Sequence, residues 1–173
     1  MAILAIIEAP HPVLSAWARP VTEAEFGPKL SRFVSDLAET MYAAPGVGLA
    51  APQVGDSRRI LVANLQGDTD SESREQLVLM VNPEIIERSK EMISWEESCL
   101  SLPEFDLDVD RHQRIRVRWM DTLGAIEEGS FEQFPAVVVQ HEIDHLDGVT
   151  LLDRSSRLKR SRYMAKKNKR DRG

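Results

Sequence analysis

Residues 140–148 read QHEIDHLDG, and the reading of this stretch decides both how the chain folds and what chemistry it carries. A helix turns about 100° per residue, so His141 and His145 lie one above the other on one face and can reach a single metal ion. Glu142 follows the first of them directly. From there it can take a proton from a water on the open side of such an ion as that water attacks a carbonyl, so the pattern points to metal-assisted hydrolysis. A chain with four His and sixteen Glu would show H-E-x-x-H by accident on the order of once in a hundred. The competing reading is a buried amphipathic helix whose histidines only pack and hydrogen-bond. Phe134, Val137 and Val138 continue the helical spacing on the histidine side, which makes it the apolar side, where unpaired imidazoles are costly. Gly148 is a fitting stop for the helix.

A buried ligand helix needs a shell. Upstream, Ile115, Val117 and Trp119 alternate with Arg114, Arg116 and Arg118, the period of a strand with one wet face, and residues 125–131 form a further strand after a turn. The ligand helix then begins at about Glu132. Residues 60–65, 77–81 and 85–86 also read as strands, with 66–76 an acidic exposed loop and Asn82-Pro83 a turn. Gly27-Pro28 opens an amphipathic helix through Leu30, Phe33, Val34, Leu37 and Met41, and Pro45-Gly46 ends it. The small residues GVGLAAPQ (46–53) read as a loop passing close to other backbone. The expectation is an α+β protein: a single compact domain of short mixed or antiparallel strands packed around a buried, metal-binding HExxH helix. Residues 1–153 would form the catalytic domain and 154–173 a basic C-terminal helix or tail with a frayed end.

The 173 residues are 42% hydrophobic, enough for a real core. No apolar run approaches the roughly 20 residues that span a bilayer, the start MAILAIIE lacks a basic leader, and the single cysteine forbids an internal disulfide. These features suit a cytoplasmic protein with no membrane and no specific DNA partner. The net charge of −6 is uneven: residues 154–173 hold ten Lys/Arg and one Asp, whereas residues 1–153 hold twelve Lys/Arg and 27 acidic residues. A polyanion partner would meet the tail rather than the site, and a solvated terminus explains the charge equally well.

Two histidines are too few for a catalytic metal, which usually takes three protein ligands. Downstream of His145 there is no further His and no Glu, only Asp147 and Asp153. Upstream stands Cys99, in WEESCLSLP, either a thiolate ligand suited to Fe, Zn, Ni or Co, or a small buried hydrophobe.

Taken together, GVGLAAPQ (46–53), ESCLS (97–101) and QHEIDHLDG (140–148) resemble the three signature motifs of the peptide deformylases, in order and at suitable spacing. The resemblance implies removal of formate from N-formylmethionyl peptides by a metal-dependent hydrolase. It implies one Fe²⁺ per chain, with Zn²⁺, Ni²⁺ or Co²⁺ possible in purified protein, held by Cys99, His141 and His145. Glu142 would act as general base and then acid, while Gln53 and the backbone N–H of Leu100 would hold the oxygen of the formyl group as it becomes an oxyanion. Val47, Val137, Val138 and the aliphatic part of Glu97 would line the pocket for the methionine side chain, with Trp95 and Phe134 nearby, and Gly48 would bond the peptide. In some bacterial members a C-terminal helix contacts the ribosome, which the basic tail could do here.

Two positions depart from the resemblance. Ser98 stands where the motif usually has glycine, which would matter if the site needs positive φ or close approach of substrate backbone. Asp106 replaces a residue that is basic in many bacterial members, and with Asp108 and Asp110 it makes that strand acidic, weakening capture of a substrate carboxylate. Two other functions therefore compete: an HExxH zinc peptidase, and a deformylase-like protein of altered or lost activity acting as a ribosome- or RNA-associated binding protein.

Overall fold

The computed structural model describes residues 2–66 and 76–170; most of the acidic 66–76 segment and the last three residues lie outside the described residues. Helix α1 (Pro28–Ala43) is followed by β1 (Gly48–Ala50), β2 (Ile60–Asn64) and β3 (Leu77–Arg88). Next come β4 (Met92–Cys99), β5 (Leu102–His112), β6 (Arg114–Met120) and β7 (Ile126–Glu132). Helices α2 (Phe134–Leu146), α3 (Leu151–Arg154) and α4 (Arg157–Arg170) complete the chain. The strands form an antiparallel five-stranded sheet in the order β1-β2-β3-β6-β7 and a separate β4–β5 hairpin. This is the α+β architecture anticipated from the sequence.

The five residues of β2, ILVAN, are all buried because the sheet is covered on both faces there. Ile60 and Val62 pack with Leu30, Val34, Leu37 and Met41 of α1. Leu61 and Ala63, pointing the other way as strand alternation demands, pack with Ala136, Val139, Ile143 and Leu146 of α2. The ligand helix is thus clamped to the sheet by the side opposite its chemistry. A third cluster joins Leu14, Cys99, Leu102, Phe105 and Val109 to Leu151, Leu152 and Tyr163. Tyr163 meets the Phe105 ring edge-on at 5.1 Å, and Lys167 and Arg170 pair with Glu8, so α4 lies docked on the body.

Three local readings change. Residues 48–50 are an edge strand, registered Gly48 to Ala63 through Ala50 to Leu61, and not loop; three residues are too few to display a period. Asn82-Pro83 is a break inside one long strand and not a turn between two: the register shifts after Val81, Asn82 adopts φ 52°, and its side chain bonds the N–H and C=O of Val21. Proline fits such a break because it has no N–H to give the ladder. The β4 strand escapes sequence reading because its inward row, Trp95, Glu97 and Cys99, mixes apolar and ionisable residues. No helix among the described residues is long and apolar enough to cross a membrane.

Candidate metal centre and active site

Cys99 ends β4, and the turn through Leu100 and Ser101 carries the chain back into β5. That turn brings the thiol against the histidine face of α2. One donor atom from each of Cys99, His141 and His145 lies within 4.8 Å of the others, and Cys99 Sγ is 3.3 Å from His145 Nε2. His145 and Cys99 are buried, while His141 retains some exposure toward the pocket. A soft thiolate with two imidazoles is the donor set of a divalent transition-metal site.

The imidazole of His141 is held from behind. Its Nδ1 lies 2.7 Å from Glu97 Oε2, and a carboxylate can only accept, so Nδ1 carries the proton and Nε2 keeps its lone pair. Glu97 is in turn gripped by Arg111, Nε to Oε1 at 2.7 Å and Nη2 to Oε2 at 2.9 Å. Arg111 reaches Asp144 at 2.6 Å, and Asp144 accepts two bonds from Arg154. Burial pushes the Glu97 carboxyl up, but its bonds from Arg111 and His141 outweigh burial and hold it below the usual carboxylate range. Arg111 is the residue that sequence reading missed. Its signal was a lone arginine on the inward side of an otherwise acidic-faced strand.

Glu142 has the opposite surroundings. It is buried, its Oε2 has no hydrogen-bond partner among the described residues, and burial pushes its carboxyl up to about 7. Such a group is poised to exchange a proton near neutrality. Gly48 lies so close that a Cβ there would fall 2.3 Å from Glu142 Oε1, so β1 passes the carboxylate only as glycine.

On the other side, Gln53 is fully buried within the short 3-10 turn Ala51–Val54. The Ala50 N–H bonds Oε1 at 2.8 Å, which fixes the amide so that Nε2 faces Ser101 Oγ at 3.2 Å and Cys99 Sγ at 3.6 Å. The pocket in front of this cluster is lined by Val47, Gly48, Gln53, Glu97, Leu100, Val137, Val138, His141 and Glu142, together with Trp95, Ser98 and Phe134. Every candidate site residue from the sequence borders it except Cys99 and His145, which sit beneath its floor. Trp95 and Phe134 form a tilted pair 5.5 Å apart, an apolar wall. Ser98 lies in β4 without positive φ, so the backbone has no need of glycine there, and its exposed side chain borders the pocket.

The family pattern of polypeptide deformylase matches residues 3–161. A peptide deformylase of Rhizorhabdus wittichii is 42% identical over 171 residues, covering 98% of this chain and 96% of that protein. Among solved structures, a peptide deformylase from Legionella pneumophila superposes with a TM-score of 0.88 at 37% identity, over 99% of this chain and 96% of that one. One from Thermotoga maritima gives 0.82 at 40% identity, over 90% and 99%.

Proposed function

The chain belongs to the polypeptide deformylase family, and from that premise we propose that it removes the formyl group from N-formylmethionine at the start of newly made polypeptides, releasing formate, with Cys99, His141 and His145 holding a ferrous ion. The observation that carries this reading is the convergence of those three donors beside a buried carboxylate with an unpartnered oxygen. Zn²⁺, Ni²⁺ and Co²⁺ suit the same donors. When bound, the ion supplies an acidified water and polarises the formyl carbonyl.

The chain's own residues do the rest. Glu142 accepts the proton of the attacking water and returns it to the amine as the formyl C–N bond breaks. The Gln53 amide and the Leu100 N–H hold the oxygen as charge develops on it, a contribution of about 10²–10³ in rate per donor. Val47, Val137, Val138 and the stem of Glu97 receive the methionine side chain. Strand β1 ends one sheet and β4 has a partner on one side only, and both border the pocket, so an extended peptide can add between them with Gly48 as a backbone partner.

Residues 1–153 are the catalytic domain in this reading and 154–173 a basic appendage in contact with the ribosome, in the cytoplasm. Deleting 155–173 and finding unchanged co-sedimentation with ribosomes would sink that contact. The central test is formate release from formyl-Met-Ala-Ser by anaerobically purified protein, with metal analysis, against Glu142→Ala. Turnover lost in the variant with metal retained is expected. A wild-type protein that binds metal without releasing formate would make it a binding protein instead.

A further inference from the structure

Gln53 and Ser101 are both sealed from solvent, at 1% and 0% exposure, so no bulk water competes for the bonds between them. A backbone N–H needs an acceptor, so the amide atom that meets the Ala50 N–H at 2.8 Å is the oxygen, and the other is Nε2. An amide nitrogen carries two protons and accepts nothing, which makes the Ser101 hydroxyl, 3.2 Å away, an acceptor. The second proton then faces Cys99 Sγ at 3.6 Å, toward the cluster of metal donors. The terminal torsion of a glutamine is broad and two-fold when nothing holds it, so contacts at both ends of this amide decide where its protons point. Gln53 lines the pocket, while Ser101 sits behind it, directly after Leu100. Backbone bonds set the spacing of the two segments: the Ile7 N–H bonds the Gln53 carbonyl at 2.7 Å, and the Ala9 N–H bonds the Ser101 carbonyl at 2.9 Å.

We infer, on the deformylase reading of the pocket, that Ser101 is a positioning residue for the reaction. Its hydroxyl takes one amide proton of Gln53 and thereby aims the other at the place where the formyl oxygen gains charge. It also ties Gln53 to the turn that carries the Leu100 N–H, so the two donors keep one spacing. The contact to the sulfur is long and yields to a charged oxygen, whereas the contact to the hydroxyl stays. A donor held in place before the charge develops needs no reorganisation when it does, and a donor left to tilt loses part of that advantage.

Formate release from formyl-Met-Ala-Ser is compared in Ser101→Ala, Ser101→Thr, Gln53→Met and Gln53→Met/Ser101→Ala. Ser101→Ala should lower kcat by roughly tenfold with KM within about twofold and metal content unchanged, because the donor acts in the transition state. Ser101→Thr keeps the hydroxyl but crowds a sealed position, so it should lose more Tm than Ser101→Ala and retain more of kcat. With Gln53 already replaced, removing the hydroxyl should change kcat by less than about twofold, whereas a packing role would lower it again. In ¹⁵N spectra of the zinc-loaded protein, the Gln53 side-chain amide, assigned by its absence from Gln53→Met, should exchange with solvent roughly tenfold faster in Ser101→Ala. Wild-type kcat in Ser101→Ala, or an equal loss in both backgrounds, would overturn the inference. A wild-type protein that releases no formate ends the deformylase reading instead. The exchange rate then decides alone: faster in Ser101→Ala, the hydroxyl aims the amide; unchanged, it does not.

Discussion

The two walls of the pocket each contribute a buried glutamate, and the two are treated in opposite ways. On the hairpin wall, Glu97 meets Arg111 and His141, and its carboxyl is held down as a permanent anion. On the helix wall, Glu142 has one oxygen with no partner among the described residues, and its carboxyl is pushed up to about 7. Burial is common to both, so it is the number of hydrogen-bond donors around each carboxylate that separates a structural anion from a proton carrier. The paired wall fixes a ligand, and the unpaired wall is left free to react.

The contrast is sharpest in turnover. Glu142→Gln should lower kcat by about 10²–10⁴ while metal content by elemental analysis and Tm stay the same or rise, because a neutral amide suits that dry position better. A variant with wild-type kcat would erase the distinction between the walls. Glu97→Ala should act the other way, on stability first. It leaves the Arg111 guanidinium, 3% exposed, short of a partner, which costs about 3–5 kcal/mol and lowers Tm by roughly 6–20 °C in calorimetry. It should also weaken metal retention about tenfold or more, since His141 loses the group that fixes its tautomer.

Further from the metal the same chain of pairs ends at Arg154, whose side chain is 35% exposed. Arg154→Ala should cost only about 0.5–1 kcal/mol by denaturant titration; a loss as large as that of Glu97→Ala would mean that the network is set from its outer end. The smallest effect belongs to a paired carboxylate at the surface. Hydrogen bonding from Lys167, opposed by partial burial, holds Glu8 below the usual carboxylate range. Its contribution is therefore present above the ordinary pKa of 4.5 and is lost as pH falls through the lowered value. Protection of the α4 amides against exchange, relative to the unfolded-chain rate at the same pH, should fall as pH drops below 4.5, and Glu8→Gln should show the lower protection already at neutral pH.

Much of this architecture is legible along the chain. Helix α2, its histidines and the alternation of β6 are local periodicities, and each forms where the residue pattern places it. The conversion of 48–50 into a strand was not legible, because an edge pairing depends on what β2 offers and not on those three residues. Nor was β4, where a buried arginine allows an ionisable residue into an inward row that would otherwise be apolar. Ser98 raised a question of backbone strain that the strand conformation removes, leaving its exposed side chain at the border of the pocket.

By itself the sequence determined that two imidazoles and a carboxylate share one helix, since positions four apart meet on a face whatever surrounds them. Only the tertiary structure decided which groups complete and tune that site. Cys99 meets His145 across 46 residues of chain, Glu97 meets His141 across 44, and Arg111 meets Asp144 across 33. Contacts at such separations follow from how sheets and helices pack, and the proton affinity of a buried carboxylate follows from those contacts.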